Sequence, residues 1–187
     1  MFIQSTDKNL LVGVGGAIIS SFNEKIANDV AKSYPGRASS SQTLDVFMTL
    51  LSLGKSGYMK LVKQRKENFI YLREKMDTLS KKHNEKVLII KNNQISLAMT
   101  LDSLDKNNVT KIGSMLFTRG CSGCRVIATN DEVKSIGEYK FISFGNHKSI
   151  NNNIPYLTAA AGIGISQEEV DSFIEKLDTV LMKFKNK

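Results

Sequence analysis

The chain has 187 residues, 41% of them hydrophobic and 24% charged, proportions that exclude a mainly disordered chain and suit one large domain or a domain and a half. The longest uncharged apolar stretch, residues 10–21, is too short to span a membrane and is broken by Gly13, Gly15 and Gly16. Lys and Arg number 26 against 18 Asp and Glu, and the net charge of +8 favours an anionic partner: nucleic acid, a phosphorylated substrate or a lipid surface.

The first 22 residues read as buried sheet and turn. Phe2-Ile3 and Leu10-Leu11-Val12 flank a polar step, Ser5-Thr6-Asp7-Lys8-Asn9, and a glycine pair follows at Gly15-Gly16. Asn23 caps a short helix through Ala31, which stops before the breaker Tyr34-Pro35-Gly36. Ser39 to Ser41 open a helix with Leu44, Phe47, Met48 and Leu51 on its apolar face, ending at Gly54. Residues 58–79 form a long amphipathic helix, with Tyr58, Leu61, Val62, Phe69, Leu72, Met76 and Leu79 on one face. Its other faces are basic: residues 55–82 hold nine Lys or Arg and three acids, so they carry +6 of the net charge. A solvated helix face explains that pattern, and so does a phosphate-facing stripe around Lys60, Lys63 and Arg65.

After His83 the period changes to two. Ile95, Leu97, Met99 and Leu101 alternate with Ser96, Ala98 and Thr100, as in a half-buried strand. A short helix over 109–116, strands over 125–128 and 139–144, and a helix from Pro155 to Ala161 follow, with a loop at 151–153. Ser166 and Glu169 form a capping box for a last helix, whose Val170, Phe173, Ile174, Leu177, Val180, Leu181 and Phe184 make one apolar face. The division between the helical first part and the following α+β part is expected near Lys82.

Four features could carry chemistry. Cys121-Ser122-Gly123-Cys124 has the C-x-x-C spacing, but zinc needs about four ligands, and His83 and His147 stand alone. A thioredoxin-like site would follow a strand and open a helix, whereas here a strand follows the pair. No metal site is therefore expected. Nor do two cysteines make a disulfide framework, and no basic residue precedes an apolar run at the N-terminus as in a secretory signal; a reducing, cytoplasmic compartment is the expectation. Gly13-Val14-Gly15-Gly16 lacks the third glycine and the downstream acid of a dinucleotide fingerprint. Lys8 sits in a polar step where a lysine can project into a cleft. Arg37 lies on the rigid turn Tyr34-Pro35-Gly36-Arg37-Ala38-Ser39 just before a helix N-terminus, a setting suited to clamping phosphate or carboxylate, though an ordinary surface arginine fits as well.

Six blocks then match one family in order and spacing: Gln4-Ser5-Thr6-Asp7-Lys8-Asn9, Val14-Gly15-Gly16-Ala17, residues 34–39, Ser52-Leu53-Gly54, residues 95–100 and residues 113–119. Over nearly its whole length the chain resembles the C-terminal part of the O-phosphoseryl-tRNA(Sec) selenium transferases. The resemblance implies an α/β pyridoxal 5'-phosphate transferase of fold type I (aspartate aminotransferase-like), with the end of the large domain at 1–82 and a small α+β domain at 83–187. It implies an enzyme that converts O-phosphoseryl-tRNA(Sec) to selenocysteinyl-tRNA(Sec) with selenophosphate, as a homotetramer and away from membranes. Lys8 falls on the family's Schiff-base lysine, Arg37 on the arginine that holds the substrate phosphate, and Arg119 on an arginine that reads the discriminator base of the tRNA. The family usually has other residues where Cys121 and Cys124 stand, and its chains are more than twice as long. Two other readings stay open: a tRNA-acceptor-binding module without turnover, and another fold-type-I enzyme acting on phosphoseryl-tRNA.

Overall fold

A computed structural model describes residues 1–37, 39–105, 108–128, 133–142 and 154–185. Ala38, His147, the 151–153 loop and the end of the strand expected at 139–144 lie outside them. Strands β1 (Phe2–Ser5) and β2 (Ala17–Ser20) pair antiparallel, Phe2 opposite Ser20, with the single helical turn α1 (Thr6–Asn9) between them. The sheet expected here is present, but it is not buried. Ile3 is 64% exposed and Val14 90%, because among the described residues β1 and β2 pair only with each other and no second layer covers them. Leu10-Leu11-Val12 forms no strand; Leu11 turns the chain with a left-handed φ of 56°.

Helix α2 (Glu24–Ser33) starts as its sequence predicts, the Asn23 side chain accepting from the backbone N–H of Lys25 and Ile26. Helix α3 (Ser41–Lys82) unites the two helices expected on either side of Gly54. That glycine is their only non-helical residue (φ 61°, ψ 175°), a conformation that suits glycine, and the helix resumes after it. The far end of α3 closes through Asn84 in the left-handed region, with the Glu85 N–H bonded to the Ser80 carbonyl.

Strands β3 (Val87–Leu88), β4 (Ser96–Thr100), β5 (Arg125–Ile127) and β8 (Tyr156–Ala160) form an antiparallel sheet in the order β3-β4-β8-β5. Between them in sequence lie helix α4 (Lys111–Phe117) and the separate hairpin β6 (Val133–Ile136) and β7 (Tyr139–Ile142). Helix α5 (Gln167–Lys185) ends the chain's described part. Its capping box is formed as expected: the Ser166 N–H donates to Glu169 Oε2 at 2.9 Å, and the Glu169 N–H to Ser166 Oγ at 3.2 Å.

Two expectations here are corrected. The helix expected from Pro155 to Ala161 is instead a strand over Tyr156–Ala160. Alanine favours helix, but Tyr156–Ala160 sits between β4 and β5, and both neighbours bond to it; Leu157 and Ala159 face the core. Strand β4 is also more than half buried, since Ala98 and Thr100, on the face away from Leu97 and Met99, are covered too.

The core gathers Leu72, Met76 and Leu79 of α3, Leu97 and Met99 of β4, Ile112 and Leu116 of α4, Leu157 of β8, and Val170, Leu177 and Leu181 of α5. By its contacts the chain divides into Met1–Gln64 with Gly162–Gly164, here the N-terminal unit, and Arg65–Ala161 with Ile165–Lys187, the C-terminal unit. The division falls inside α3.

Candidate functional site

In the N-terminal unit, Lys8 stands on the α1 turn between the two paired strands. Thr6 braces that turn: its N–H and its hydroxyl both donate to the Gly16 carbonyl, at 3.1 and 3.0 Å. Gly16 has to be glycine, because a Cβ there would lie 2.6 Å from Thr6 Oγ1 and 3.1 Å from Cβ of Gln42 in the first turn of α3. Tyr58, further along α3, donates its hydroxyl to the Asn9 carbonyl at 3.1 Å. The Lys8 side chain is 73% exposed and pairs with Asp7.

Arg37 is exposed on the loop between α2 and α3, four residues before Ser41, the first residue of α3. The preceding turn is tight: a Cβ at Gly36 would lie 2.7 Å from Tyr34 Oη. The Lys8 turn, through Gly16 and Gln42, and the Arg37 loop, through the chain itself, therefore meet the same helix start. The orphan N–H groups of that start, one of them bonded to Ser39 Oγ, give the region a positive end.

Arg119 belongs to the C-terminal unit, just past α4. Its Nη1 donates to the Met115 carbonyl at 2.7 Å, and the Thr118 hydroxyl donates to the same oxygen at 3.0 Å. An arginine at a helix C-terminus is favoured by the carbonyl dipoles, and one N–H spent there leaves the rest of the guanidinium fork for another acceptor. Gly120, at φ 78°, then turns the chain.

Cys121 and Cys124 are half-buried free thiols packed against the core. Cys124 Sγ–H points to the Cys121 carbonyl at 3.7 Å, and β5 follows directly. Burial pushes the Cys124 thiol up, and the neighbouring Cys121 adds to it. Both cysteines line a cavity of about 490 Å³, with Leu72, Ile165, Phe173 and Lys176. Among the described residues no group of three or more His, Cys, Asp and Glu could hold a metal ion, and no helix is long and apolar enough to cross a membrane.

On the basic helix Lys60 and Lys63 are exposed and Arg65 is half-buried; Lys75 pairs with Asp171, Lys81 with Asp77 and Lys82 with Asp178. Tyr71 also donates to Asp171, at 2.9 Å, and the hydrogen bonds from Lys75 and Tyr71 hold the Asp171 carboxyl below its usual range. Two polar centres had no sequence signal. Buried His83 lies 2.7 Å from Asp178, and buried Glu85 accepts from Thr100, from the N–H of Asp102 and Ser103, and from the Ser103 hydroxyl. Both are structural links, and their partners lie too far along the chain for spacing to reveal them.

A family model described as O-phosphoseryl-tRNA(Sec) selenium transferase, SepSecS, matches residues 1–182. The chain belongs to this family. Among similar selenium transferases, one from Dictyostelium discoideum is 45% identical over 97% of this chain and 41% of its own length. Another from Methanocaldococcus jannaschii is 31% identical over 96% of this chain and 38% of its own. The crystal structure of archaeal O-phosphoseryl-tRNA(Sec) selenium transferase superposes with a TM-score of 0.75 at 28% identity, covering 95% of this chain and 37% of that one. The selenium transferase fold class is thus that expected, fold type I, of which this chain has a part; it spans about two fifths of the length of the curated relatives it matches. A pyridoxal cofactor of that fold needs a primary amine for its aldehyde carbon, and the exposed Lys8 amine on its braced turn is a donor of the right kind.

Proposed function

We propose that this chain is the C-terminal portion of a selenium transferase that converts O-phosphoseryl-tRNA(Sec) to selenocysteinyl-tRNA(Sec) with selenophosphate. Residues 1–82 are the end of its large, cofactor-binding domain and 83–187 its small domain. The observation that carries the reading is the Lys8 turn, fixed by Thr6 and Gly16, inside a family match that runs over residues 1–182. The uncovered apolar side chains of Met1–Gln64 support it, since a longer enzyme has the chain to cover them.

In this reading Lys8 holds pyridoxal 5'-phosphate. When bound, the cofactor offers a conjugated ring that accepts the electron pair left at the substrate α-carbon. Lys8 Nζ would take the proton from that carbon, for which it has to be neutral at that moment. Arg37 grips the substrate phosphate with a planar fork and holds it as it leaves the β-carbon. Arg119, held by the Met115 carbonyl, presents its remaining donors to O6 and N7 of a guanine in the tRNA acceptor end. Lys60, Lys63 and Arg65 attract the RNA backbone without reading its sequence. The enzyme works in the cytoplasm as a homotetramer.

Borohydride reduction of the full-length protein with the cofactor, followed by peptide mapping, tests the assignment. The cofactor's mass should appear on the Lys8 peptide and vanish in Lys8→Ala. Attachment to another lysine would sink it.

A further inference from the structure

The function proposed above leaves Cys121 and Cys124 without a part. We propose that the two are a modification site, oxidised reversibly to an intramolecular disulfide by a low-molecular-weight disulfide of the glutathione class. The geometry supports it from three sides. Cys121 is anchored, its N–H bonded to the Leu116 carbonyl at 3.0 Å at the end of α4. Cys124 is folded back on it through the Sγ–H contact to the Cys121 carbonyl. The chain bends at Gly123 between them, so that Cys124 Sγ reaches the backbone of Cys121, and a disulfide spans Cα atoms about 4.4–6.8 Å apart. The chain between them can adjust, because the space where a Gly123 side chain would stand is empty.

Access comes from the cavity. Its volume is about 490 Å³, Cys121 and Cys124 both line it, and Lys176 on the same wall offers a cation to the carboxylates of such a tripeptide, beside the opposing charges of Glu168 and Glu169. Burial pushes the Cys124 thiol up, and the first attack is assigned to Cys121. The Cys121 thiolate attacks one sulfur of the small disulfide, forming a mixed disulfide and expelling one small thiolate. Cys124 then gives up its proton, and its sulfur attacks Cys121 Sγ and expels the second. The two protein thiols lose two electrons and two protons, and the small disulfide becomes two thiols.

The test uses the reduced full-length protein, incubated with oxidised glutathione, alkylated and mapped by mass. The peptide holding both cysteines should lose two hydrogens and take up no alkyl group, and dithiothreitol should restore both alkylation sites. In Cys124→Ser the exchange should stop halfway, with one glutathione on Cys121. A wild-type peptide that stays fully alkylated overturns the proposal, and so does one that keeps a glutathione without forming the internal bond. Neither result depends on Lys8, Arg37 or Arg119, so the selenium transferase reading stands or falls separately.

Discussion

Every buried apolar side chain among the described residues lies in Arg65–Ala161 or Ile165–Lys187, whereas in Met1–Gln64 side chains as large as Phe2, Phe22, Phe47 and Leu51 face solvent. The C-terminal unit is held by a packed core, stitched by Glu85, by the His83–Asp178 pair and by the Tyr71–Lys75–Asp171 cluster. The N-terminal unit is held locally: a helix cap at Asn23, the Thr6–Gly16 brace and the Tyr58–Asn9 bond. Hydrogen bonds of this kind set local geometry but contribute only about 0.5–1.5 kcal/mol each, too little to replace apolar burial. The difference teaches that the candidate residues of the two units differ in what they need. The Arg119 turn is built on a complete core, while the Lys8 and Arg37 turns have their local shape and lack cover.

The comparison can be broken first through Arg37. In the full-length enzyme Arg37→Ala should cost roughly a hundredfold or more in turnover of phosphoseryl-tRNA, while the absorbance of the bound cofactor stays unchanged. Arg37→Lys should restore little, because a point charge does not reproduce a bidentate fork. Steady-state rates and visible spectra of both variants decide it; an unchanged rate in Arg37→Ala would show that the phosphate clamp lies elsewhere.

The next effect concerns packing. Leu157→Ala empties a site in the complete core and should cost about 2–5 kcal/mol in urea unfolding of this chain. Leu51→Ala, at a side chain 71% exposed, should stay within about 0.5 kcal/mol here. Repeating Leu51→Ala in the full-length protein sharpens the contrast: a cost that rises toward the Leu157 value means the longer chain covers that face, and an unchanged cost means it does not.

A smaller loss is expected at Arg119. Arg119→Ala should weaken binding of cognate tRNA by about 1–3 kcal/mol and of a tRNA altered at the discriminator base by much less. Neutralising Lys60 and Lys63 should weaken both RNAs alike and flatten the salt dependence. Titrations of both RNAs at two salt concentrations separate the two behaviours, and equal losses for Arg119→Ala would make it one more phosphate contact.

The smallest effect is a pH dependence of the C-terminal unit. Burial raises the Asp178 carboxyl, but hydrogen bonds from Lys82 and His83 together outweigh it and leave the folded value below the ordinary 3.8. A depressed folded value stabilises the fold above pH 3.8, and that stability is lost as pH falls through the folded value. The loss should be under about 1 kcal/mol, because the pair is partly screened by solvent, and Asp178→Asn should remove it. Unfolding free energies of wild type and variant between about pH 6 and pH 2, set out as a difference curve, measure it; parallel curves would contradict the assignment.

What the sequence by itself determined is what a few neighbouring residues decide. The Asn23 cap, the Ser166–Glu169 capping box and the helical stripe from Val170 to Phe184 are local in both cause and effect, so the order of residues alone reveals them. The blocks around Lys8, Arg37 and Arg119 carried the family in the same way, because motif spacing survives in the chain whatever the packing. The tertiary structure alone decided the rest. Tyr156–Ala160 is a strand because β4 and β5 flank it, although its alanines favour helix. Glu85 and His83 find donors and partners 15 to 18 and 95 residues away, beyond the reach of any periodicity. The hold of Met115 on Arg119 follows from where α4 ends. Burial was the least legible of all: Phe47 and Leu51 carry the same apolar pattern as Leu72 and Met76, and only the presence of a facing layer separates a core from an exposed face.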